Sequence, residues 1–155
     1  MKILMVCLGN ICRSPLAEGI MKHHVREAGL DWEVDSAGTS GWHNGELPDQ
    51  RSILVARKNG LDITDQRSRQ IQVRDLDDFD TIFVMDRQNQ KDVLGQARTD
   101  EQRGKVRLLL EELNGFYTSE VPDPYYDGSF DRVYDMIDQA CATYVRNHRS
   151  PVASS

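Results

Sequence analysis

A cysteine and an arginine with five residues between them are the first pair in this chain whose types and spacing could do chemistry. They lie in the run Cys7-Leu8-Gly9-Asn10-Ile11-Cys12-Arg13-Ser14, which follows the apolar stretch Ile3-Leu4-Met5-Val6 and precedes Pro15. This order predicts a strand, a short loop and a helix start, an arrangement that directs backbone N–H groups and the positive end of a helix dipole at one point. We therefore expect the loop to bind a tetrahedral oxyanion.

Cys7 and Arg13 have complementary roles in such a loop. The field that attracts an anion also favours the thiolate, which is the nucleophilic form of a cysteine. The guanidinium of Arg13 is always charged and can donate to two oxygens of one phosphate group. The sequence thus predicts that Cys7 attacks phosphorus and forms a phosphocysteine, while Arg13 and the amides of residues 8–13 hold the equatorial oxygens, without a metal ion.

Asp123 is a third candidate for chemistry, near the other end of the chain. It lies between Pro122 and Pro124, where an aspartate is usually a turn former. Departure of a phenolate or alkoxide is helped by a positioned acid, and two flanking prolines would hold this carboxyl on a rigid loop. We expect Asp123 to be the general acid and then the base toward water in hydrolysis of the phosphocysteine.

Short apolar or alternating runs predict the strands that must position these residues. The first run is nearly continuous in apolar residues, as expected of a strand covered on both faces. The predicted strands are residues 2–6, 32–37, 81–85 and 106–110, of which the last could also be a helical turn.

Helical spacing and end signals predict helices between these strands. The first helix begins at Ser14, with its hydroxyl as N-cap, and ends near Gly29. The second has Ile53, Leu54 and Val55 on its inner face. The predicted helices after the first are residues 48–59, 88–94 and about 129–146, and the polar segment 98–105 is predicted to be a loop.

Strands separated by helices predict an α/β fold with an open parallel sheet, helices on both faces and ligands beyond the carboxyl ends of the strands. The loop after Cys7 follows such a strand end. A length of 155 residues predicts a single domain, residues 1–149, with a frayed tail at 150–155.

Composition restricts the partners that we expect. A net charge of −6 argues against nucleic acid, and no stretch approaches the roughly 20 apolar residues of a membrane span. Three cysteines are too few for a disulfide scaffold, which favours a cytoplasmic protein. His23 and His24 show no zinc-type spacing with the cysteines, so neither a metal nor a cofactor is expected.

Two motifs together carry a resemblance to a known family. The C-x5-R-S loop that begins at Cys7, combined with Asp123-Pro124-Tyr125-Tyr126, resembles the low-molecular-weight protein tyrosine phosphatases. The likeness extends to residues 34–39, 68–70 and 84–86. It implies a four-stranded parallel sheet and an enzyme that hydrolyses a tyrosine-phosphorylated protein or a small aryl phosphate, as a monomer or weak homodimer.

The resemblance also implies roles for the residues around the loop. Asn10 would brace the loop through Ser36, and the Ser14 hydroxyl would bond the thiolate. Cys12 would form a reversible disulfide with Cys7 that protects the nucleophile from over-oxidation. Two further groups complete the implied site: the phosphate-binding and orienting residues Leu8, Gly9, Ile11 and Asp86, and the aromatic walls Trp42, Tyr125 and Tyr126.

Three other interpretations remain open. In a phosphoarginine phosphatase branch of the family a threonine occupies the position of Ile11, so Ile11 favours phosphotyrosine. Arsenate reductases of the same fold need two further cysteines, and only Cys141 is present downstream. A cysteine phosphocarrier module would not need Asp123. No role follows for His43, or for Gln66, which stands where many animal members have a histidine.

Overall fold

Four parallel strands form one sheet in the computed structural model, which describes residues 1–149. The order across the sheet is β2-β1-β3-β4. The predicted α/β class with an all-parallel sheet is confirmed, and the predicted tail at 150–155 lies outside the described residues. The strands are β1 (Lys2–Cys7), β2 (Glu33–Gly38), β3 (Thr81–Val84) and β4 (Val106–Leu108).

Helices cover both faces of this sheet, also as predicted. Among residues 1–149 they are α1 (Arg13–Glu27), α2 (Gln50–Lys58), α3 (Asp75–Asp78), α4 (Arg87–Leu94), α5 (Asp100–Gly104), α6 (Pro124–Asp127) and α7 (Phe130–His148), with a 3-10 helix at Leu109–Glu112. The predicted strand at 106–110 is thus half strand and half helical turn.

The central strand β1 explains the two layers of helices. Ile3 and Met5 belong to the apolar cluster that includes residues of α1, α2 and α7. Leu4 and Val6 point the other way and belong to the cluster that includes residues of α3 and α4. A strand between two such clusters needs apolar residues at every position, because successive side chains point to opposite faces.

The prediction of a loop at residues 98–105 is wrong, because α5 lies there. The Thr99 side chain accepts a hydrogen bond from the backbone N–H of Gln102, which caps the helix. The Gln102 amide is buried and donates to Asp77 over 2.8 Å. A cap and polar contacts hold this helix, so it has no apolar repeat that a periodicity argument could detect.

The prediction that Leu54 lies on the inner face of α2 is also wrong, since this residue is 59% exposed. The buried residues of α2 are Ser52, Val55 and Ala56. A stripe spaced by three or four residues selects these positions, so Ile53 is only partly buried and Leu54 lies outside the core.

Candidate active site

The cysteine loop closes around the sulfur of Cys7 at the carboxyl end of β1. The backbone N–H of Asn10 donates to Sγ over 3.3 Å, and the Ser14 hydroxyl oxygen lies 3.1 Å from Sγ. Asn10 has a φ of 56°, a left-handed conformation that asparagine tolerates better than most residues. This conformation turns the chain back so that the buried sulfur accepts a hydrogen bond from the Asn10 N–H and lies within hydrogen-bond distance of the Ser14 hydroxyl.

Ser14 does not cap α1, which corrects the prediction. The helix begins at Arg13, and its N-cap position is Cys12, without a side-chain capping bond. The Ser14 oxygen instead accepts from Asn10 Nδ2 over 2.7 Å and faces Cys7. The Ser14 hydroxyl therefore bonds to residues of the cysteine loop and not to the backbone N–H groups of α1. The end signal at Gly29, with a φ of 69° just after the helix, was predicted correctly.

Close approach of the loop to β2 depends on a glycine. A Cβ atom on Gly38 would lie 2.8 Å from the Leu8 carbonyl oxygen and 3.1 Å from the Asn10 backbone nitrogen. Both contacts are with backbone, which cannot swing aside. The anion loop therefore requires the absence of a side chain at this position.

Gly38→Ala should shift the loop and destabilise the fold by about 1–3 kcal/mol, the usual cost of overpacking. The checks are the midpoint of thermal unfolding and kcat with an aryl phosphate, both of which should fall. Gly104→Ala is the matched control, since a Cβ there meets nothing within 4 Å. Equal behaviour of the two variants would contradict the close-approach argument.

Arg13 is held at the mouth of the loop by two neighbouring segments. Its Nη1 donates to Asp86 Oδ2 over 2.7 Å and to the Val121 carbonyl oxygen over 2.9 Å, and its Nη2 lies 3.8 Å from Asp123 Oδ2. Burial acts to lower the pKa of the guanidinium, but Cys7, Asp86 and Asp123 raise it on balance. Arg13 therefore stays charged although it is almost fully buried.

The Asp86 carboxylate makes two contacts beside the loop. One of its oxygens accepts from Arg13, and the other accepts from the Asn89 backbone N–H and caps α4. The helix start therefore fixes the carboxylate, and the carboxylate fixes the guanidinium.

Asp123 sits on a loop that is tied to the sheet. The Val121 N–H donates to the Met85 carbonyl over 2.8 Å, just after β3. Asp123 Oδ1 accepts from the Tyr125 N–H over 3.1 Å and caps α6, which begins at Pro124. The other carboxyl oxygen lies on the side of Arg13, so the prolines and the cap present this oxygen to the same space as the cysteine loop.

Cys7, Arg13 and Asp123 line one cavity of about 220 Å³, whereas the predicted site residues Asn10 and Ser14 lie behind the loop and do not line it. Trp42 and Tyr126 are 77% and 80% exposed, as is typical of binding walls rather than core. Tyr125 lies between Tyr126, with ring centroids 5.2 Å apart, and Arg51, whose guanidinium carbon is 5.3 Å from the Tyr125 ring centroid. The lining comprises Cys7, Leu8, Gly9, Ile11, Cys12, Arg13, Trp42, His43, Asp123, Tyr125 and Tyr126.

Cys12 shares this cavity with Cys7 but has a different environment. Burial raises the pKa of the Cys12 thiol to about 12, with smaller contributions from Asp49, Cys7 and Asp123. Burial thus disfavours the thiolate, the nucleophilic form, at Cys12.

The two residues without a predicted role also have defined places. His43 lies on the cavity wall, with Nδ1 3.0 Å from Glu46 Oε2. Gln66 is buried, and its Nε2 donates to the Pro15 carbonyl over 3.0 Å, which ties the segment after α2 to the first turn of α1.

Neither a metal centre nor a membrane-spanning helix is found in the described part of the chain. Within residues 1–149, no group of three or more histidine, cysteine, aspartate or glutamate side chains is placed to hold a metal ion. His23 and His24 contact Glu27 and Asp138 instead. In the same range, every helix is too short or too polar to cross a bilayer.

Comparison with known proteins identifies the family to which a chain with this site belongs. The family model described as low molecular weight phosphotyrosine protein phosphatase matches residues 2–152. The chain belongs to this family. It is 38% identical over 144 residues to the low molecular weight protein-tyrosine-phosphatase YfkJ of Bacillus subtilis, covering 90% of each protein. It is 40% identical over 131 residues to the low molecular weight phosphotyrosine protein phosphatase of Schizosaccharomyces pombe, covering 83% of each.

Solved structures show the same fold. The crystal structure of Bacillus subtilis YfkJ superimposes with a TM-score of 0.91 at 34% identity and covers 97% of both chains. A crystal structure described as DARP, drosophila arginine phosphatase, gives a TM-score of 0.90 at 36% identity and covers 97% of this chain and 99% of that one. The fold therefore does not by itself distinguish a phosphatase that acts on phosphotyrosine from one that acts on phosphoarginine.

Sequence reasoning missed two residues that support the phosphatase loop, Glu18 and Arg69. Glu18 is buried, and its Oε1 accepts from the Ser36 hydroxyl over 2.7 Å. The Arg69 N–H donates to Asn10 Oδ1 over 3.0 Å. A signal for Glu18 existed, since it follows Ser14 by four residues and so lies on the same face of α1, among apolar neighbours. Arg69 acts through its backbone, which residue type cannot reveal.

Proposed function

We propose that the protein hydrolyses phosphotyrosine in two displacements at this cavity. The Cys7 thiolate attacks phosphorus and forms the S–P bond, the aryl oxygen–phosphorus bond breaks, and the leaving oxygen takes a proton from Asp123. Water then attacks the phosphocysteine, gives a proton to the Asp123 carboxylate and displaces the thiolate. The observation that carries the proposal is the meeting of Cys7, Arg13 and Asp123 on one cavity.

The hydrogen bonds around the sulfur support the second displacement. Cys7 leaves as a thiolate, and the Asn10 N–H and the Ser14 hydroxyl are both placed to donate to that charge. Hydrogen bonds to a charged form favour it over the neutral form. We infer that the amides of residues 8–13 and the Arg13 guanidinium hold the three other phosphoryl oxygens. The family needs no metal ion, and these fixed donors supply positive charge in its place.

The walls of the cavity favour an aromatic leaving group. Trp42 and the pair Tyr125 and Tyr126 present rings at the mouth of the pocket, and a phosphotyrosyl ring would lie against them. Ile11 adds an apolar side chain to the lining. We therefore propose a tyrosine-phosphorylated protein or a small aryl phosphate as substrate.

Other interpretations of the cysteine loop have less support. Cys141 is fully buried on α7, in the apolar cluster, so it is not available for the relay that an arsenate reductase needs. A phosphocarrier would leave the placement of Asp123 beside Arg13 without a purpose.

Five further proposals concern redox protection, location, partners, domain extent and oligomeric state. A disulfide between Cys7 and Cys12 would protect the nucleophile, since both thiols line the same cavity. The catalytic thiol must stay reduced, which favours a location in the cytoplasm. The net charge of −6 argues against a nucleic acid partner. Residues 1–149 would form the catalytic domain, and the protein would act as a monomer or weak homodimer.

One experiment tests the activity and the choice of substrate. The wild-type protein is assayed with p-nitrophenyl phosphate, a phosphotyrosyl peptide and phosphoarginine, in the presence of EDTA. We expect chelator-resistant phosphate release from the first two, and a phosphoryl group on Cys7 when the reaction is quenched in acid and analysed by mass spectrometry. Faster release from phosphoarginine would assign the protein to the arginine branch, and a phosphoryl group on another residue would exclude the mechanism.

A further inference from the structure

A buried carboxylate stands at the end of a hydrogen-bond chain that leads to the nucleophile. Glu18 Oε1 lies 2.7 Å from Ser36 Oγ, which lies 3.0 Å from Asn10 Nδ2. The same Nδ2 lies 2.7 Å from Ser14 Oγ, which lies 3.1 Å from Cys7 Sγ. All five residues are at most 4% exposed, so these bonds lie in the protein interior.

The direction of each bond follows from which groups can only donate or only accept. The Arg69 N–H donates to Asn10 Oδ1, so the Asn10 amide turns its two N–H groups toward Ser14 and Ser36. Both serine oxygens therefore accept from Asn10. The Ser14 hydroxyl hydrogen is left for Cys7 Sγ at 3.1 Å, in preference to the Ala37 carbonyl oxygen at 3.5 Å.

Glu18 provides the acceptor that this arrangement requires at its other end. The Ser36 hydroxyl accepts from Asn10, so its own hydrogen needs an acceptor, and Glu18 Oε1 is in place. Glu18 Oε2 accepts from Lys22 Nζ over 2.5 Å, one turn further along α1. Both carboxyl oxygens thus accept, which corresponds to an ionised Glu18 paired with the Lys22 ammonium.

We propose that Glu18 is a positioning residue for the phosphatase reaction, which orients Ser36, Asn10 and Ser14 so that the Ser14 hydroxyl donates to the Cys7 thiolate. This inference rests on the proposed function of Cys7. Lys22 has the supporting role of holding the Glu18 charge inside the protein.

Glu18→Gln should leave the Ser36 hydroxyl hydrogen without its acceptor. The Lys22 ammonium attracts the amide oxygen of a glutamine, which turns the amide N–H₂ toward Ser36. The Arg69 N–H holds Asn10 Oδ1 in place, so the Ser36 oxygen then faces donors from both the glutamine and Asn10. We expect these two competing donors to displace the Asn10 amide and with it Ser14, which weakens the hydrogen bond from Ser14 to Cys7.

The first test is a double-mutant cycle on kcat with p-nitrophenyl phosphate. Glu18→Gln should lower kcat about tenfold in the wild-type background, the effect of one hydrogen bond to a charged group. In the Ser14→Ala background the same substitution should lower kcat less than about twofold, because the bond it disturbs is already absent. An equal loss in both backgrounds, or no loss in the wild type, overturns the proposal.

The second test is a rescue that a purely steric role would not give. In the Lys22→Met background the ammonium is gone, so a glutamine at position 18 can turn its oxygen toward Ser36. We expect Glu18→Gln to lower kcat less than about threefold there, against about tenfold in the wild type. The same loss with and without Lys22 excludes the orienting mechanism.

Controls separate this inference from folding and from the proposed activity. Glu27→Gln, an exposed carboxylate on the same helix, should leave kcat unchanged. If Glu18→Gln does not fold, as judged by circular dichroism, Ser36→Ala replaces it in the cycle with Ser14→Ala under the same expectations. An inactive wild-type protein would refute the proposed function, whereas an active wild type with an equally active Glu18→Gln refutes only this inference.

Discussion

Cys7→Ser should abolish turnover, by roughly 10⁴-fold or more, while the protein still folds and still binds phosphate. A serine hydroxyl is a far weaker nucleophile than a thiolate, and the loop offers the hydroxyl no general base close to it. The proposed anion site consists of backbone N–H groups and of Arg13, which Asp86 and the Val121 carbonyl hold independently of Cys7. Serine also keeps a contact with Ser14 and Asn10, so the loop should retain its shape.

Two measurements on the same preparation test this expectation. Phosphate release from p-nitrophenyl phosphate should fall to background, while calorimetric titration with inorganic phosphate should give a Kd within a few-fold of the wild-type value. Cys141→Ala is the matched control, since it removes a thiol from the core of α7 and should leave kcat unchanged. If Cys7→Ser turned over substrate as fast as the wild type, Cys7 could not be the nucleophile.

The central strand and the cysteine loop could be predicted from the sequence because their signals are local. Residues of β1 are buried on both sides, which requires a continuous apolar run. The loop can be predicted from residue types at fixed spacing, and Asn10, with a φ of 56°, supplies its left-handed turn. The helix α7 was visible for a similar reason, since Val133, Ile137 and Tyr144 repeat at helical spacing on a buried face.

The end of α1 next to the loop could not be predicted in the same way. A serine followed by a proline is a good local signal for an N-cap, but Ser14 is engaged by Asn10 and Cys7. Competition between a capping bond and bonds across the loop is decided by tertiary geometry, which a local pattern does not contain. The N-cap position is Cys12, two residues before the predicted Ser14, so Arg13 is the first residue of the helix and its guanidinium lies in the site.

The residues that support the cysteine loop from behind were the hardest to predict from the sequence. Glu18 and Arg69 reach the loop through Ser36 and through a backbone N–H, so their roles depend on which groups the fold brings together. Buried charged residues are rare unless they are paired, and the pairing of Glu18 with Lys22 at four residues is visible in the sequence. What the sequence lacks is the burial itself, which distinguishes this pair from an ordinary surface pair.

Asp123→Asn should lower kcat/KM in proportion to how poorly the substrate's leaving group departs. The ratio kcat/KM reports the first displacement alone, in which Asp123 gives a proton to the leaving oxygen. A phenolate with a conjugate acid near the pKa of a tyrosine, about 10, needs that proton, and general acid catalysis typically contributes 10²–10⁴-fold. A dinitrophenolate is stable without the proton, so its kcat/KM should change by less than about tenfold.

The measurement is kcat/KM across a series of substituted phenyl phosphates for wild type and variant. When log kcat/KM is plotted against the pKa of the leaving phenol, the wild-type values should be nearly constant. The Asp123→Asn values should fall steeply as that pKa rises. Asp131→Asn is the control, because Asp131 is an exposed carboxylate that pairs with Lys58 at the start of α7. Asparagine keeps the capping oxygen for the Tyr125 N–H, so α6 and its tyrosines should stay in place. A uniform loss across the series would mean that Asp123 positions Arg13 rather than donating the proton, since its carboxylate lies 3.8 Å from that guanidinium.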